Sequence, residues 1–351
     1  MKFLFTLSLA LSLFAARAQP GPQAVIDQLV NEEGIVGVAA AYAIDGTTEW
    51  SSTAGHRCKK PQILFSDTTR TRTASIAKSM TAIAAMQLAE QGQLDLDLPI
   101  TEYLPAFPKK AKGTITSRHL LNHTSGLTGY QSPEEAENEV AYANLEEAMQ
   151  VFANRPLLFE PGTGFFYTTY GYVVLGRIIE AVSGRSYETY MQTHIWGPSG
   201  MKHTGVEVYG EPVTDAACLY HKKRRKPKLA DQNNLSNRTP GGGLYTTLED
   251  MIRFGNAVVN HQLVKAETLE EMMSTPDIEK EGNPYGLGWF LYGPPPYEHL
   301  VIGHSGEQTG AATQLMLIPE SKTVVVVLAN TSGAWKAVVQ AASELIRISE
   351  Q

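Results

Sequence analysis

The sequence predicts an α+β fold: a sheet built by strands from both ends of the chain, with a long and mostly helical middle between them. Three observations carry this. An apolar run at 38–44, an Asp45-Gly46 turn and a second run at 47–54 form a strong hairpin signal. Near the other end, runs at 314–318 and 323–329 flank the turn Pro319-Glu320-Ser321-Lys322 and precede a helix-like 334–348. The intervening chain shows helical patterning at 75–91, closed by Gly92, at 117–122, at 170–183, closed by Gly184, and at 248–259. Internal repeats and low-complexity tracts are absent from the sequence.

With 351 residues, 43% hydrophobic and 19% charged, the composition is that of a globular chain rather than a disordered or fibrous one. The net charge of −7 argues against nucleic acid as a partner. The run His221-Lys222-Lys223-Arg224-Arg225-Lys226-Pro227-Lys228 has no interleaved aromatic residues, and the expectation for it is a solvated loop.

Residues 1–18 stand apart. Lys2 is followed by an apolar run over 3–16 and by Ala16-Arg17-Ala18, the pattern of a secretory leader cleaved near Ala18. The run is shorter than the roughly 18 residues a membrane span requires, so a periplasmic or secreted product without a stable membrane anchor is expected. Export permits a disulfide between Cys58 and Cys218, but spacing alone leaves one bridge and two separate thiols equally open.

Ser75-Ile76-Ala77-Lys78 opens the helix at 75–91, which is apolar on nearly every face and therefore belongs inside the protein. A lysine buried there is costly unless it has a purpose. Three residues apart, Ser75 and Lys78 share a face. Desolvation lowers a lysine pKa, so Lys78 is a candidate base for the Ser75 hydroxyl, making Ser75 a candidate nucleophile at a helix N-terminus.

Partner motifs follow in order: His119-Leu120-Leu121-Asn122-His123-Thr124-Ser125-Gly126-Leu127, Pro161-Gly162, residues 165–171, Gly241-Gly242-Gly243-Leu244 with Glu249-Asp250-Met251, residues 285–289, and Gly303-His304-Ser305-Gly306. With these, the chain resembles the β-lactamase-related family that joins class C β-lactamases, D-Ala-D-Ala carboxypeptidases and β-lactamase-fold esterases. It is most similar to the branch of the mitochondrial β-lactamase-like serine proteins. The resemblance implies a β-lactamase/transpeptidase-like fold: an antiparallel sheet flanked by the terminal helices, a large inserted helical lobe, and an active site in the cleft. After the leader, 19–351 then reads as one domain, with a sheet lobe at about 19–72 and 285–351 and a helical lobe at about 73–284.

The resemblance also implies roles. Ser75 and Lys78 become nucleophile and base, and Tyr167 a phenolate base or a proton donor to the leaving group. The backbone N–H groups of Ser75 and Glu307 form the oxyanion hole, and Thr169, His304, Ser305 and Gly306 line the substrate site. Two departures stand out. Thr169 replaces the usual Asn, losing an amide that both donates and accepts. His304 replaces a permanent lysine cation, so substrate grip should depend on pH around the ordinary histidine titration.

Other motifs fail. Gly303-His304-Ser305-Gly306-Glu307 lacks the last glycine of a nucleophile elbow, and no βαβ alternation surrounds it. His119 and His123 lack the glutamate and third ligand of a zinc site and are expected to be structural. Gly241-Gly242-Gly243 lacks the Lys-Ser/Thr of a phosphate loop. The sequence therefore predicts an exported serine hydrolase needing no metal or organic cofactor. Its substrate would be a small molecule or peptide: a D-amino-acid peptide, a β-lactam or a small ester. The sequence sets no oligomeric state and is compatible with a homo-oligomer. The alternative is a non-catalytic muropeptide-binding or self-assembling protein, which intact Ser75, Lys78 and Tyr167 oppose.

Overall fold

A computed structural model describes residues 21–224, 226–276, 278, 284–294 and 297–351, so the leader expected at 1–18 lies outside the described residues. Seven strands form the main sheet, numbered here in chain order: β1 (Gly37–Ile44), β2 (Thr47–Cys58), β3 (Ile63–Leu64), β4 (Phe290–Tyr292), β5 (Val301–Gln308), β6 (Ala311–Ile318) and β7 (Thr323–Ala329). Their spatial order is β3-β2-β1-β7-β6-β5-β4, every neighbouring pair antiparallel. The Asp45-Gly46 turn has φ of 46° and 82°, the two left-handed residues that a tight hairpin requires. β1 then pairs with β7 from Val38 opposite Ala329 to Ile44 opposite Thr323, so the two ends of the chain meet at the sheet's centre.

The central strands are buried on both faces, and their side chains alternate between two cores. Val325 and Val327 point to the layer of terminal helices, α1 (Pro22–Asn31) and α5 (Trp335–Ser349). Those helices bring Val25, Ile26 and Leu29, and Val338, Ala341, Ala342, Leu345 and Ile346, at the three-and-four spacing of one apolar stripe. Val324, Val326 and Leu328 point instead into the larger core shared with the helical lobe. That lobe contributes α2 (Ala77–Glu90), α3 (Thr169–Ser183) and α4 (Leu248–Val259). Thr168 caps α3 by accepting from the Tyr170 N–H, and Gly184, at φ 67°, ends it in the left-handed conformation.

The fold is thus β-lactamase/transpeptidase-like, as the sequence predicts, with two local differences. The helix expected from residue 75 begins at Ala77, because Ala74–Ile76 forms a 3₁₀ turn. The basic run at 221–228 is not a loop. Tyr220–Lys223 and Lys226–Leu229 pair as a hairpin whose first strand lies parallel to Thr331–Ser332, a tertiary pairing that the local charge pattern does not encode. Its polar exposure is as expected, apart from Lys222, which pairs with Glu33 at 2.8 Å.

Cys58 and Cys218 form a disulfide, with Cα atoms 5.1 Å apart, joining the end of β2 to the segment before that hairpin. It closes a span of 160 residues, which in the chain-entropy account is worth about 5 kcal/mol. Replacing both cysteines by serine is expected to lower Tm by several degrees, measurable by thermal unfolding with and without reductant.

Candidate active site

The turn that carries Ser75 is fixed from two sides. The Thr73 N–H donates to the Leu244 carbonyl at 2.9 Å, and the Thr313 hydroxyl of β6 donates to the Thr73 carbonyl at 2.9 Å. Between them Ala74 sits at φ 47°, a left-handed conformation that costs an alanine on the order of 1–2 kcal/mol. Such strain persists only where neighbours impose it. Here it turns the chain abruptly from extended to helical and leaves Ser75 half-buried above a helix in which every residue from Ala77 to Met86 is buried.

Lys78 is completely buried. Its Nζ lies 2.9 Å from Ser75 Oγ, 3.2 Å from Thr169 Oγ1 and 2.7 Å from the Gly241 carbonyl oxygen. No ion pair to it occurs among the described residues. Burial, reinforced by the positive charge of Arg238, holds its pKa well below the usual lysine range. A neutral amine has two N–H donors and one lone pair. Donation to Gly241 and Thr169 leaves the lone pair for the Ser75 hydroxyl, the geometry of a base with its proton donor in reach. Gly241 must be glycine for this approach, since a Cβ there would sit 2.6 Å from Thr169 Cγ2.

Tyr167 stands over the same pair. Lys78 Nζ is 5.0 Å from its ring centroid, and its hydroxyl interacts with Ser75. Burial raises the phenol well above its ordinary value, against the lowering effect of its hydrogen bond with Ser75, which disfavours the phenolate form. His123 packs beneath it, with ring centroids 4.3 Å apart, and is itself enclosed by Tyr172 and Tyr285. Burial, with the charges of Lys78 and His304, pushes His123 well below the usual histidine range. His119 lies elsewhere, in a capping box with Thr116. Neither histidine belongs to a metal-binding cluster among the described residues.

β5 supplies the opposite wall. β4 pairs only with Val301–Gly303, so the rest of that β5 edge has no strand beside it among the described residues. Gly306 lets β5 press against the Ser75 turn: a Cβ would fall 2.7 Å from the Thr73 carbonyl oxygen and 2.8 Å from Ala74 Cβ. This sets β5, with half-buried Ser305, against the turn that carries Ser75. His304 requires a correction. Its side chain is fully buried; Nδ1 donates to the Ser305 carbonyl at 2.6 Å, so Nε2 accepts from the Tyr285 hydroxyl at 3.0 Å. Burial and the charge of Lys78 push it down to about 3 against the opposing Ser305 hydrogen bond, so it stays neutral through the pH range where a switch was expected.

The structure therefore brings Ser75, Lys78, Tyr167, Thr169, His304, Ser305, Gly306 and Glu307 into one neighbourhood. It adds two residues to which sequence reasoning gave no role: Gly241, whose carbonyl holds Lys78, and Tyr285, which holds His304. Both lie within motif blocks, but each contact joins two different blocks, Gly241 to Lys78 across 163 residues and Tyr285 to His304 across 19.

This arrangement has relatives. The chain is 27% identical to the mitochondrial serine beta-lactamase-like protein LACTB of Homo sapiens, over 87% of this chain and 73% of that protein. The octameric penicillin-binding protein homologue from Pyrococcus abyssi has a TM-score of 0.82 at 27% identity, covering 94% of this chain and 77% of that one. D-amino acid amidase from Ochrobactrum anthropi SV3, complexed with L-phenylalanine amide, has a TM-score of 0.78 at 26% identity, covering 94% and 96%. The Beta-lactamase family model matches residues 22–346, nearly all that is described, and with a serine and a buried lysine in hydrogen-bonding contact at its centre the chain belongs to this family of serine hydrolases.

Proposed function

We propose that the protein is an exported hydrolase acting through an acyl-enzyme on Ser75, with small uncharged amides, D-amino-acid amides or esters as preferred substrates. The observation that carries it is the 2.9 Å contact between Ser75 Oγ and a buried Lys78 that no carboxylate neutralises among the described residues. Lys78 takes the hydroxyl proton as Oγ bonds to the substrate carbonyl carbon. The oxyanion lies between the N–H groups of Ser75 and Glu307. Tyr167 passes the proton from Lys78 to the leaving amine or alkoxide as its bond to carbon breaks. Water then adds to the ester under the same groups and releases the acid and free Ser75.

Neutral His304 offers no cation to a substrate carboxylate, and the Thr169 hydroxyl is already engaged by Lys78. Both favour uncharged acyl compounds over carboxylate-bearing β-lactams. The amidase among the relatives supports this ordering. The disulfide fits an oxidising compartment, as export requires. The octameric relative makes self-assembly a fair expectation, to be read by light scattering.

The test is intact-protein mass after incubation with p-nitrophenyl acetate and, separately, a penicillin. An acetyl adduct that turns over, with a slower or absent penicillin adduct, is expected. A folded protein that forms neither adduct and hydrolyses no ester or amide is a binding protein instead.

Neutral His304 makes a separate prediction about stability. Its folded pKa, about 3, lies below the unfolded value of about 6.5, so between these limits the unfolded chain binds more protons. Stability then falls as pH drops through that window, by up to about 1.4 kcal/mol per pH unit. His304→Gln is expected to flatten the acid-side fall of Tm, measured by calorimetry, without moving the pH dependence of acylation.

A further inference from the structure

Arg238 is a buried cation without an ionic partner among the described residues. Its residue is 5% exposed, and its Nε donates to Asn237 Oδ1 at 2.9 Å. The guanidinium carbon lies 5.0 Å from the Tyr130 ring centroid, and Nη2 has no hydrogen-bond partner among the described residues. Neither nearby carboxylate forms an ion pair with it among the described residues. Glu135 pairs with Arg155 at 2.8 Å and accepts from the Tyr170 hydroxyl, while Glu137 accepts from the Thr309 hydroxyl. An uncompensated guanidinium is costly to bury, and it cannot shed its proton to escape the cost.

The main chain links this charge to the catalytic lysine. The Arg238 carbonyl accepts from the Gly241 N–H at 2.8 Å, and the Gly241 carbonyl is the 2.7 Å acceptor of Lys78. We propose that Arg238 is a positioning residue whose permanent positive charge keeps Lys78 in the amine form that accepts the Ser75 proton. The proposal rests on the acyl-enzyme reading above. Its physical basis is like-charge repulsion in a poorly solvated interior, where a second proton is hard to accommodate.

The surroundings of Lys78 make this charge matter. Facing Lys78 are the Ser75 and Thr169 hydroxyls, the Tyr167 and Tyr172 rings at 5.0 and 5.8 Å, and the buried histidines His123 and His304. None carries a negative charge that would hold an ammonium. Tyr130 connects the two basic side chains: the Arg238 guanidinium lies 5.0 Å from its ring centroid, and its hydroxyl interacts with Thr169, whose Oγ1 is 3.2 Å from Lys78 Nζ; the charges of Glu135 and Glu137 act on that phenol. Electrostatically, Arg238 is the second-largest influence on Lys78, after burial, and both act in the same direction.

The experiment is single-turnover acylation by p-nitrophenyl acetate from about pH 5 to about pH 10 in wild type, Arg238→Met and Arg238→Lys, with Ser75→Ala as control, and Tm for each. In wild type the acidic limb should lie well below the ordinary lysine value of about 10.4. In Arg238→Met the limb should rise by about one unit, giving about tenfold slower acylation below it and an unchanged alkaline plateau. Arg238→Lys should restore the wild-type limb. Because methionine suits an aromatic face and removes an unneutralised charge, Tm of Arg238→Met should hold or rise. An unmoved limb, a lowered plateau without a shift, a wild-type limb near the ordinary lysine value, or failure of Arg238→Met to fold would each overturn the proposal. If Ser75→Ala reacts as fast as wild type, the acyl-enzyme reading fails first, and that result is visible without any Arg238 variant.

Discussion

Ser75→Ala is expected to abolish covalent adduct formation and to lower ester turnover to the background rate, a loss of about 10⁴-fold or more if the serine, base and oxyanion donors work as a unit. The side chain removed is small and half-buried, and the turn around it is held by Thr73, Ala74 and Thr313 rather than by the hydroxyl. Tm should therefore stay near wild type. Intact mass and thermal unfolding on the same samples separate lost chemistry from lost fold. A persistent adduct would place the nucleophile elsewhere.

Lys78→Met should slow acylation by about 10²- to 10⁴-fold, the usual contribution of a positioned base, and should at the same time make the protein more stable at neutral pH. The sign follows from linkage. A lysine whose folded pKa is depressed leaves the unfolded chain holding more protons between the folded and unfolded values, so stability there rises with pH. Methionine has no proton to lose, fills the same buried volume, and removes that slope along with the desolvation cost. Tm against pH, from neutral to alkaline, checks this. A steep fall in Tm would mean that the three hydrogen bonds of Lys78 are structural. Retained activity would assign the base to another group.

Much of this site is legible in the residues because its central pair is local. Ser75 and Lys78 are three apart, and the apolar helix around them announces burial in its own composition. The sheet was legible for a similar reason: Asp45-Gly46 and the unbroken valine run of β7 are short-range signals. What could not be read is what depends on distant chain. The Gly241 carbonyl reaches Lys78 across 163 residues and Thr169 across 91, so no spacing rule connects them. His304 carries a familiar motif position, but only the assembled cluster of Tyr285, Phe290 and Tyr167 decides that its ring is dry and neutral. The basic segment became a hairpin because Thr331–Ser332 offered it an edge. The pairing of Cys58 with Cys218 likewise needed a three-dimensional neighbourhood.

The pairing of β1 with β7 has a consequence for how the enzyme comes into being. The strand at Gly37–Ile44 cannot complete its hydrogen bonds until Thr323–Ala329 has been made, and the Ser75 turn leans on β5 and β6 from the same late part of the chain. Contacts of such sequence separation form slowly and after most of the chain is available. During synthesis, the serine is therefore an ordinary hydroxyl beside an ordinary, solvated lysine. On the acyl-enzyme reading, the Ser75–Lys78 pair is assembled only when folding is nearly finished, so the nascent chain is chemically silent.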